Sequence, residues 1–256
     1  IYGIYKSGSG ATTINNNLIG STVTANSINA IYVKVYGINS AGTGTVSISG
    51  NTISNLSKGY SLSSSGLIQG IYISGGTNTI INNIVTNLTN TYGNTNSNAS
   101  VSAGGIIFNS TTAAVQTISN NIISGLSCTG HVIGLYYNGG TTASIVNGNF
   151  INGLSGSVSG SGTNIIYGIK INAGATTYSN NVISLAGSPR STLYGIYETG
   201  LSSNDNNLYF NTVYLAGTAA IIPKVGSPNS YALYSAVTTN TRNFRNNILV
   251  NARSNI

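Results

Sequence analysis

The sequence predicts an all-β solenoid, a fold in which short strands stack coil upon coil. An asparagine-centred unit of about 33 residues recurs eight times along the chain. Apolar residues inside each unit alternate with a period of two rather than 3.6, which indicates strands and not helices. Only 9 basic and 2 acidic residues occur among 256, and the polar fraction is nearly all Ser, Thr, Asn and Gly, which suit turns and strand surfaces.

The repeat is defined by an Asn, an aliphatic residue two positions after it and a large apolar residue three positions before it. The unit that begins at Gly70 shows the pattern, with Ile80 before Asn83 and Val85 after it. The eight residues at the Asn position, which we expect to stack, are Asn17, Asn51, Asn83, Asn121, Asn149, Asn181, Asn211 and Asn247.

A Gly or Ala followed by an aliphatic residue marks the first strand of each unit. These pairs are placed at Gly3-Ile4, Ala30-Ile31, Gly70-Ile71, Gly105-Ile106, Gly134-Leu135, Gly168-Ile169, Gly195-Ile196 and Ala232-Leu233. Each unit then reads as a strand, a Gly/Ser/Thr turn, a second strand, the Asn turn and a third strand. Strands this short bury a face only when the next coil stacks on them. We therefore expect one solenoid domain over residues 1–256. Because both ends fall inside a unit, we expect it to be part of a longer repeat array.

These residues resemble the repeats of right-handed parallel β-helix proteins, the pectin-lyase-like architecture. Paired asparagines such as Asn82-Asn83 and Asn120-Asn121 resemble the asparagine ladder of that class, in which each amide bonds to the coils above and below. The resemblance implies a right-handed parallel β-helix of about eight coils, each of three short strands, with coils about 4.8 Å apart. The first residue of each pair is expected in the left-handed conformation, which Asn and Gly tolerate. Phe210 fits that conformation poorly, so the sequence does not predict a regular turn at this position.

The composition resembles that of very large secreted bacterial surface proteins, above all the giant surface adhesins of the Bacteroidota, many of which are type IX secretion cargo. Degenerate repeats rich in Ser, Thr, Asn and Gly, poor in charge and without cysteine pairs carry this resemblance. It implies a location at the bacterial cell surface, a role in adhesion, and the secretion machinery as a partner. The dispersed basic residues argue against nucleic-acid binding, and no apolar run reaches the roughly 18 residues of a membrane span.

Catalysis on polysaccharides is the rival interpretation. Glycoside hydrolases need two or three carboxylates, and calcium-dependent lyases need several, whereas Glu198 and Asp205 are the only two in the chain. We interpret Glu198 as a solvated charge and Asp205 as a turn former, and leave open whether they form a weak ion site. His131 is interpreted as a loop or strand-edge residue and Cys128 as a small apolar residue in a turn. We therefore expect no catalytic residues, no cofactor and no metal.

A column of tyrosines is the candidate contact surface. If Ile71 faces the core, the next residue faces solvent, and six of eight units carry tyrosine there. These residues are Tyr5, Tyr32, Tyr72, Tyr136, Tyr197 and Tyr234. Such a column stiffens the sheet by ring stacking or contacts glycans or other surface proteins. Lateral self-association is a further possible use of the solenoid.

Two other features bear on recognition. The longest inserts after a third strand, from Thr89 to Gly104 and from Ala216 to Ser230, are candidates because loops on a rigid scaffold often carry binding. Ice binding needs a flat two-rank T-x-T array, which the four aligned threonines Thr13, Thr79, Thr117 and Thr177 do not supply. We predict a non-catalytic structural or adhesive segment, a stiff stalk with a lateral contact face. A polysaccharide-binding or polysaccharide-degrading β-helix is the alternative.

Overall fold

The chain folds as a parallel β-solenoid, which confirms the predicted all-β fold class. The computed structural model describes residues 1–59, 66–157, 163–199, 205–220, 228–237 and 239–255. All regular secondary structure in these ranges is β-strand. Three parallel sheets, here named A, B and C, run the length of the solenoid with eight stacked rungs each, and neighbouring rungs are separated by one turn. Eight rungs correspond to about seven turns. The right-handed twist of the coil stays a prediction.

Each turn contributes one strand to each sheet. Sheet A contains Tyr2–Lys6, Val35–Ser40, Ile68–Ile73, Ala103–Ser110, Val132–Gly139, Asn164–Ala173, Ser191–Glu198 and Ser230–Ser235. Sheet B contains Thr12–Asn15, Thr45–Ser49, Thr77–Ile81, Thr117–Ser119, Ser144–Asn147, Thr176–Ser179, Asn206–Tyr209 and Arg242–Arg245. The eight rungs of sheet C are Leu18–Gly20, Thr52–Lys58, Ile84–Asn90, Ile122–Cys128, Phe150–Asn152, Val182–Leu185, Thr212–Leu215 and Ile248–Asn251.

Four short strands lie outside these rungs. Ile28–Ala30 pairs with Thr52–Lys58, and Ser155–Gly156 pairs with Ile122–Cys128. Thr218–Ala219 and Ser254–Asn255 form a separate two-stranded sheet. All four follow a sheet C strand in their own coil and extend the coil beyond the regular rungs.

The core is a set of stacked aliphatic columns. In it, the Gly of the first strand contacts the aliphatic residue that lies two positions after the repeat Asn. A side-chain carbon added to Gly37 would lie 2.5 Å from Ile53 Cγ2 and 2.6 Å from the carbonyl oxygen of Gly70. A side-chain carbon added to Gly70 would likewise overlap Val85, and one added to Gly105 would overlap Ile123. The Gly of the first strand is therefore required because the aliphatic residue after the Asn packs directly onto its backbone.

The eight asparagines form one continuous ladder at the turn between sheets B and C. At each of the seven steps, the side-chain amide of one Asn donates to Oδ1 of the next, at 2.8 to 3.0 Å. The backbone N–H of the same residue donates to the same oxygen, as between Asn51 and Asn83 at 3.0 Å. From the second rung onward, each side-chain amide also donates to a carbonyl in the preceding coil, for example from Asn83 to Ile48 at 2.9 Å. Six of the eight residues, from Asn51 to Asn211, are fully buried.

The residue before each ladder Asn adopts the left-handed conformation in all eight rungs. Its φ lies between 53° and 66° at Asn16, Gly50, Asn82, Asn120, Gly148, Asn180, Phe210 and Asn246. Phe210 therefore adopts the regular turn with φ 56°, although the sequence does not predict it. Its backbone N–H donates to the Arg245 carbonyl at 3.1 Å as the equivalent residues do, so the stacked coils impose the strained conformation on the aromatic residue.

The prediction for the first strand of the second unit is wrong. Gly37-Ile38, not Ala30-Ile31, pairs with Gly70-Ile71 in sheet A, since Ile38 aligns with Ile71. Ala30 instead lies in the short strand beside Thr52–Lys58. The run Tyr36-Gly37-Ile38 repeats Tyr2-Gly3-Ile4 and carries the correct register. No helix in the described ranges is long and apolar enough to cross a membrane.

The ladder predicts that loss of one amide lowers the stability of the fold. Asn121 takes part in four side-chain hydrogen bonds, two accepted from Asn83 and one each donated to Ile80 and Asn149. We expect Asn121→Ala to lower the free energy of unfolding by at least about 3 kcal/mol, because buried donors and acceptors lose their partners. Asn121→Asp should be as damaging, since a carboxylate cannot donate to the Ile80 carbonyl.

The neighbouring Asn120 supplies the matched control. It is exposed and left-handed, so Asn120→Gly should change the free energy of unfolding by less than about 1 kcal/mol. Urea unfolding followed by circular dichroism measures the free energy of unfolding of each variant. Equal effects of Asn121→Ala and Asn120→Gly would show that the ladder is not a main source of stability.

Candidate contact surface

The outer face of sheet A carries two tyrosine columns rather than one. The repeated run Tyr-Gly-Ile-Tyr turns both the Gly and the Ile toward the core, so the flanking residues at positions i and i+3 both face outward. The strand register shows the break, because Tyr2 aligns with Tyr36 and Ile4 with Ile38 while the glycines between them are not paired. A strict alternation of period two therefore detects only the second tyrosine of each run.

The first column contains five of the six predicted tyrosines. In register along sheet A it reads Tyr5, Asn39, Tyr72, Ile107, Tyr136, Lys170, Tyr197 and Tyr234. Tyr32 is not a member, because Gly37-Ile38 supplies the second rung and places Asn39 in the column. Tyr32 lies between sheet strands and is 64% exposed.

The second column was missed by the sequence analysis. It reads Tyr2, Tyr36, Gln69, Gly104, Ile133, Tyr167, Tyr194 and Tyr231. The signal is a tyrosine directly before the Gly in four units and directly before Ala232 in the last unit. A strict period of two does not predict this column, because the Gly-Ile pair interrupts the alternation.

The insert after the third strand of the third unit covers the middle of both columns. Ala99 and Val101 of this insert pack on an apolar cluster with Ile107, Ile133 and Tyr136. The Gln69 side-chain amide donates to the Ala99 carbonyl at 2.8 Å. Tyr136 consequently retains only 3% exposure, and it is unavailable as a contact residue. The insert thus acts as a structural cover over this part of sheet A.

An open aromatic platform remains beyond the insert, at the carboxyl-terminal end of sheet A. We define this tyrosine platform as Tyr194, Tyr197, Tyr231 and Tyr234, all partly exposed. Tyr197 and Tyr234 stack at 5.2 Å with 3° between their planes, and Tyr194 and Tyr231 stack at 5.2 Å with 9°. Edge contacts cross-link the two stacks, as between Tyr194 and Tyr197 at 4.7 Å. Four rings in two ordered rows therefore present one rigid aromatic surface.

Lys170 lies between the platform and the insert. Its Nζ is 5.3 Å from the centroid of the Tyr197 ring and 4.9 Å from that of Tyr167, and it donates to the Ser97 carbonyl. Burial lowers its pKa to about 8. The pKa of Tyr194 is raised to about 12 by burial and by the neighbouring tyrosines, of which Tyr197 has the largest effect. The platform therefore presents neutral phenols beside one cation near neutral pH.

The two carboxylates of the chain differ in burial and in hydrogen-bond partners. Glu198 is fully buried at a core position aligned with Ile171, so its interpretation as a solvated charge is wrong. Its Oε1 lies 2.6 Å from Arg242 Nε and accepts from the Asn206 amide at 2.7 Å. A carboxylate at such a position is tolerated only when a cation and hydrogen bonds compensate the lost hydration. Asp205 is exposed, and its Oδ1 accepts from the Thr241 backbone N–H at 3.0 Å.

His131 and Cys128 lie together at the turn between sheets C and A. The Ile165 backbone N–H donates to Nδ1 of His131 at 3.1 Å. Burial, with a smaller effect from the Lys170 charge, lowers the pKa of His131 to about 4. Cys128 Sγ lies 3.2 Å from the Gly130 amide and from the His131 carbonyl, and burial raises the pKa of its thiol to about 12. A thiol with so high a pKa is a poor nucleophile at neutral pH.

The remaining sequence candidates contribute less to the surface. The threonine column of sheet B is interrupted, since Ser47 lies between Thr13 and Thr79 and Ile145 between Thr117 and Thr177. Much of the second long insert, residues 221–227, lies outside the described residues. Within the described ranges, no group of three or more His, Cys, Asp or Glu side chains is placed to hold a metal ion.

Comparisons of the chain with protein-family models, with curated proteins and with solved structures found no match.

The buried histidine predicts a pH dependence of stability. In the folded chain the pKa of His131 is about 4, against 6.5 for an unperturbed histidine, so the unfolded state binds the proton more tightly. The free energy of unfolding should stay nearly constant from about pH 7.5 to pH 6.5 and fall by roughly 2 kcal/mol as the pH falls to about 4, after allowance for partial solvent screening.

The variant His131→Asn tests this assignment. Its amide oxygen can accept the Ile165 N–H bond but does not titrate in this range. Urea unfolding at pH 7.5, 5.5 and 4.5 should show a smaller loss of stability for the variant than for the parent chain. An identical loss in both would assign the pH dependence to other groups.

Proposed function

We propose that this chain is a non-catalytic structural or adhesive segment of a large bacterial cell-surface protein, where it forms a stiff stalk with a lateral contact face. The continuous amide ladder is the observation that carries the proposal. Every step between rungs is bonded through the same buried amide column, so bending one coil against the next would break hydrogen bonds that water cannot readily replace. Such a column suits a rigid spacer.

The chemistry of the ionisable groups supports a non-catalytic role. Glu198 is bound to Arg242, Asn206 and Ser235, and Asp205 is exposed in a different turn. A glycosidase needs an acid and a base or nucleophile that flank one bond, and these carboxylates have different surroundings and different partners. The pKa values of His131 and Cys128 are shifted so that the imidazole is neutral and the thiol protonated near pH 7.

The likeness to right-handed, pectin-lyase-like β-helices and to Bacteroidota adhesins supplies the cellular part of the proposal. A low-charge, repetitive chain without a cysteine pair suits export in an unfolded state followed by folding outside the cell. Secretion machinery of the type IX class and surface glycans or proteins are the partners that this proposal implies.

A replacement experiment in the source cells tests the stalk. Exchanging residues 1–256 for a Gly/Ser linker with the same number of residues keeps the chain length and removes both stiffness and contact face. We expect antibody labelling of intact cells by an epitope outside the segment to persist and attachment to surfaces to fall at least tenfold. Unchanged attachment would contradict a stalk or adhesive role for this segment.

A polysaccharide assay tests the non-catalytic part. The purified chain, incubated with plant and bacterial polysaccharides, should release neither reducing ends nor unsaturated uronic ends above the buffer control. The variant Asp205→Asn serves as the matched control, because Asp205 is exposed and the Asn side chain can still accept the Thr241 N–H bond. Product release by the parent chain that disappears in Asp205→Asn would show that the chain is an enzyme.

Polysaccharide binding without cleavage is the second candidate function, and the tyrosine platform favours it. The rings of the platform stack on one another, so the surface presents ring edges and phenol hydroxyls, and the hydroxyls can bond to sugar hydroxyls. We expect Tyr197→Ser combined with Tyr234→Ser to weaken binding to a polysaccharide at least tenfold in affinity gels. The exposed Tyr32 and Tyr214, which lie outside the platform, supply the control pair Tyr32→Ser and Tyr214→Ser. Equal effects of the two pairs would exclude the platform as the binding site.

A further inference from the structure

The tyrosine platform brings phenol rings of neighbouring coils into contact. Tyr197 aligns with Tyr234, and Tyr194 with Tyr231, across the last two strands of sheet A. In each pair the ring centroids are 5.2 Å apart, and the ring planes differ by 3° and 9° respectively. Because the two strands are hydrogen-bonded in register, the rings of each pair stay side by side. The two residues of a pair are one full turn apart in sequence, so a bond between their rings would join two coils.

The rings of the platform are open to an oxidant in solution. All four are partly exposed on the outer face of sheet A. Tyr167 continues the column of Tyr194 and Tyr231 and stacks on Tyr194 at 5.2 Å, but it is only 3% exposed. An oxidant therefore reaches the platform before it reaches the covered part of this column. The open outer face also leaves room for two stacked rings to slide until their edges meet.

Two phenols in contact couple when each loses one electron and one proton. The two phenoxyl radicals join at ring carbons next to the oxygens, and each of these carbons then passes its proton to its own oxygen, which restores two aromatic phenols. One molecule of hydrogen peroxide, acting through a haem peroxidase, accepts the two electrons and two protons and leaves as two molecules of water. The net change in the protein is one new carbon–carbon bond and the loss of two hydrogen atoms.

Contact within one chain favours coupling inside that chain over coupling between chains. Positioned reactants act at effective concentrations far above those of partners in dilute solution. Tyr214 on sheet C shows the contrast, since it is 45% exposed but its neighbours in the adjacent rungs are Ser184 and Val250. Neither adjacent rung offers Tyr214 a ring, whereas each ring of the platform has a stacked partner.

We propose that the tyrosine platform is a site of oxidative cross-linking, at which Tyr197 couples to Tyr234 and Tyr194 to Tyr231, with a peroxide and a peroxidase as the oxidising system. The new bonds join the seventh and eighth rungs of sheet A. A cross-link between coils restricts the unfolded chain more than the folded one, so it stabilises the solenoid as a disulfide would. This inference concerns a covalent modification of the rings and does not depend on the proposed function.

Peroxidase treatment of the dilute 256-residue chain, followed by trypsin digestion and mass spectrometry, tests the cross-link. Trypsin cleaves after Lys and Arg, so the seventh-rung tyrosines lie in peptide 191–224 and the eighth-rung tyrosines in peptide 225–242. We expect these two peptides to be joined, with the loss of two hydrogen atoms for each bond and with dityrosine fluorescence. The treated chain should melt at least about 5 °C above the untreated chain.

Phenylalanine variants assign the coupling, since Phe keeps the ring and lacks the hydroxyl from which the radical forms. Tyr194→Phe combined with Tyr197→Phe should lower the yield of joined peptides at least tenfold and leave the melting temperature of the untreated chain nearly unchanged. Tyr214→Phe is the matched control and should leave the yield unchanged, because Tyr214 lies in the same tryptic peptide but on sheet C.

The other outcomes would overturn the proposal. Joined peptides in equal yield from the double variant would assign the bond to other residues, and a bond confined to peptide 191–224 would not join the two coils. Products that run as dimers on a denaturing gel would show coupling between chains. A chain that stays unmodified while free tyrosine is coupled in a parallel sample would exclude the platform as a modification site. Cross-linked chains without a gain in melting temperature would exclude the stabilising role.

Discussion

The stacked asparagine amides are the constraint on which the rest of the structure depends. An amide carries donors and an acceptor, so each rung satisfies the one below it and is satisfied by the one above. A charged or a purely accepting side chain could not stack in this way. Because the amide also bonds to the carbonyl of the preceding coil, the ladder fixes both the distance between coils and their rotation about the axis. Insertions between rungs are then tolerated, which is why steps of 28 to 38 residues, as from Asn121 to Asn149 and from Asn83 to Asn121, maintain the same geometry.

The fixed register determines which side chains face inward. The aliphatic residue two positions after the Asn meets the Gly of the first strand across a narrow core, and it leaves no space for a side-chain carbon there. At the seventh rung Glu198 takes a core position that Ile73, Phe108 and Ile171 occupy in earlier coils. The fold tolerates the carboxylate because Arg242 enters the core from sheet B and neutralises it. The cost of burying one charge thus specifies a second charge in the next coil.

Much of the fold follows from local patterns, and much of the surface does not. The Asn repeat is readable because every unit has the same short spacing, and the parallel sheets follow from stacking. The second unit was misplaced because Ala30-Ile31 imitates the Gly-aliphatic pair, and only the paired strand shows that Gly37-Ile38 takes its place. Coverage of Tyr136 depends on Ala99 and Val101, which reach it through an insert whose path no local pattern specifies. The partner of Glu198 is Arg242, which is distant in sequence, and no local pattern indicates their contact.

The three faces of the solenoid show how its repeat distributes side-chain chemistry. A position within the repeat becomes a column that runs the whole length, so chemistry is distributed along columns rather than concentrated at one point. Sheet A presents aromatic rings, sheet B presents Ser, Thr and Asn at many outward positions, and sheet C presents exposed apolar side chains such as Ile84, Ile122 and Phe150. A column of weak, repeated contacts gives affinity only to a partner that is itself extended or periodic. The polysaccharide chains of the second proposed function have that property.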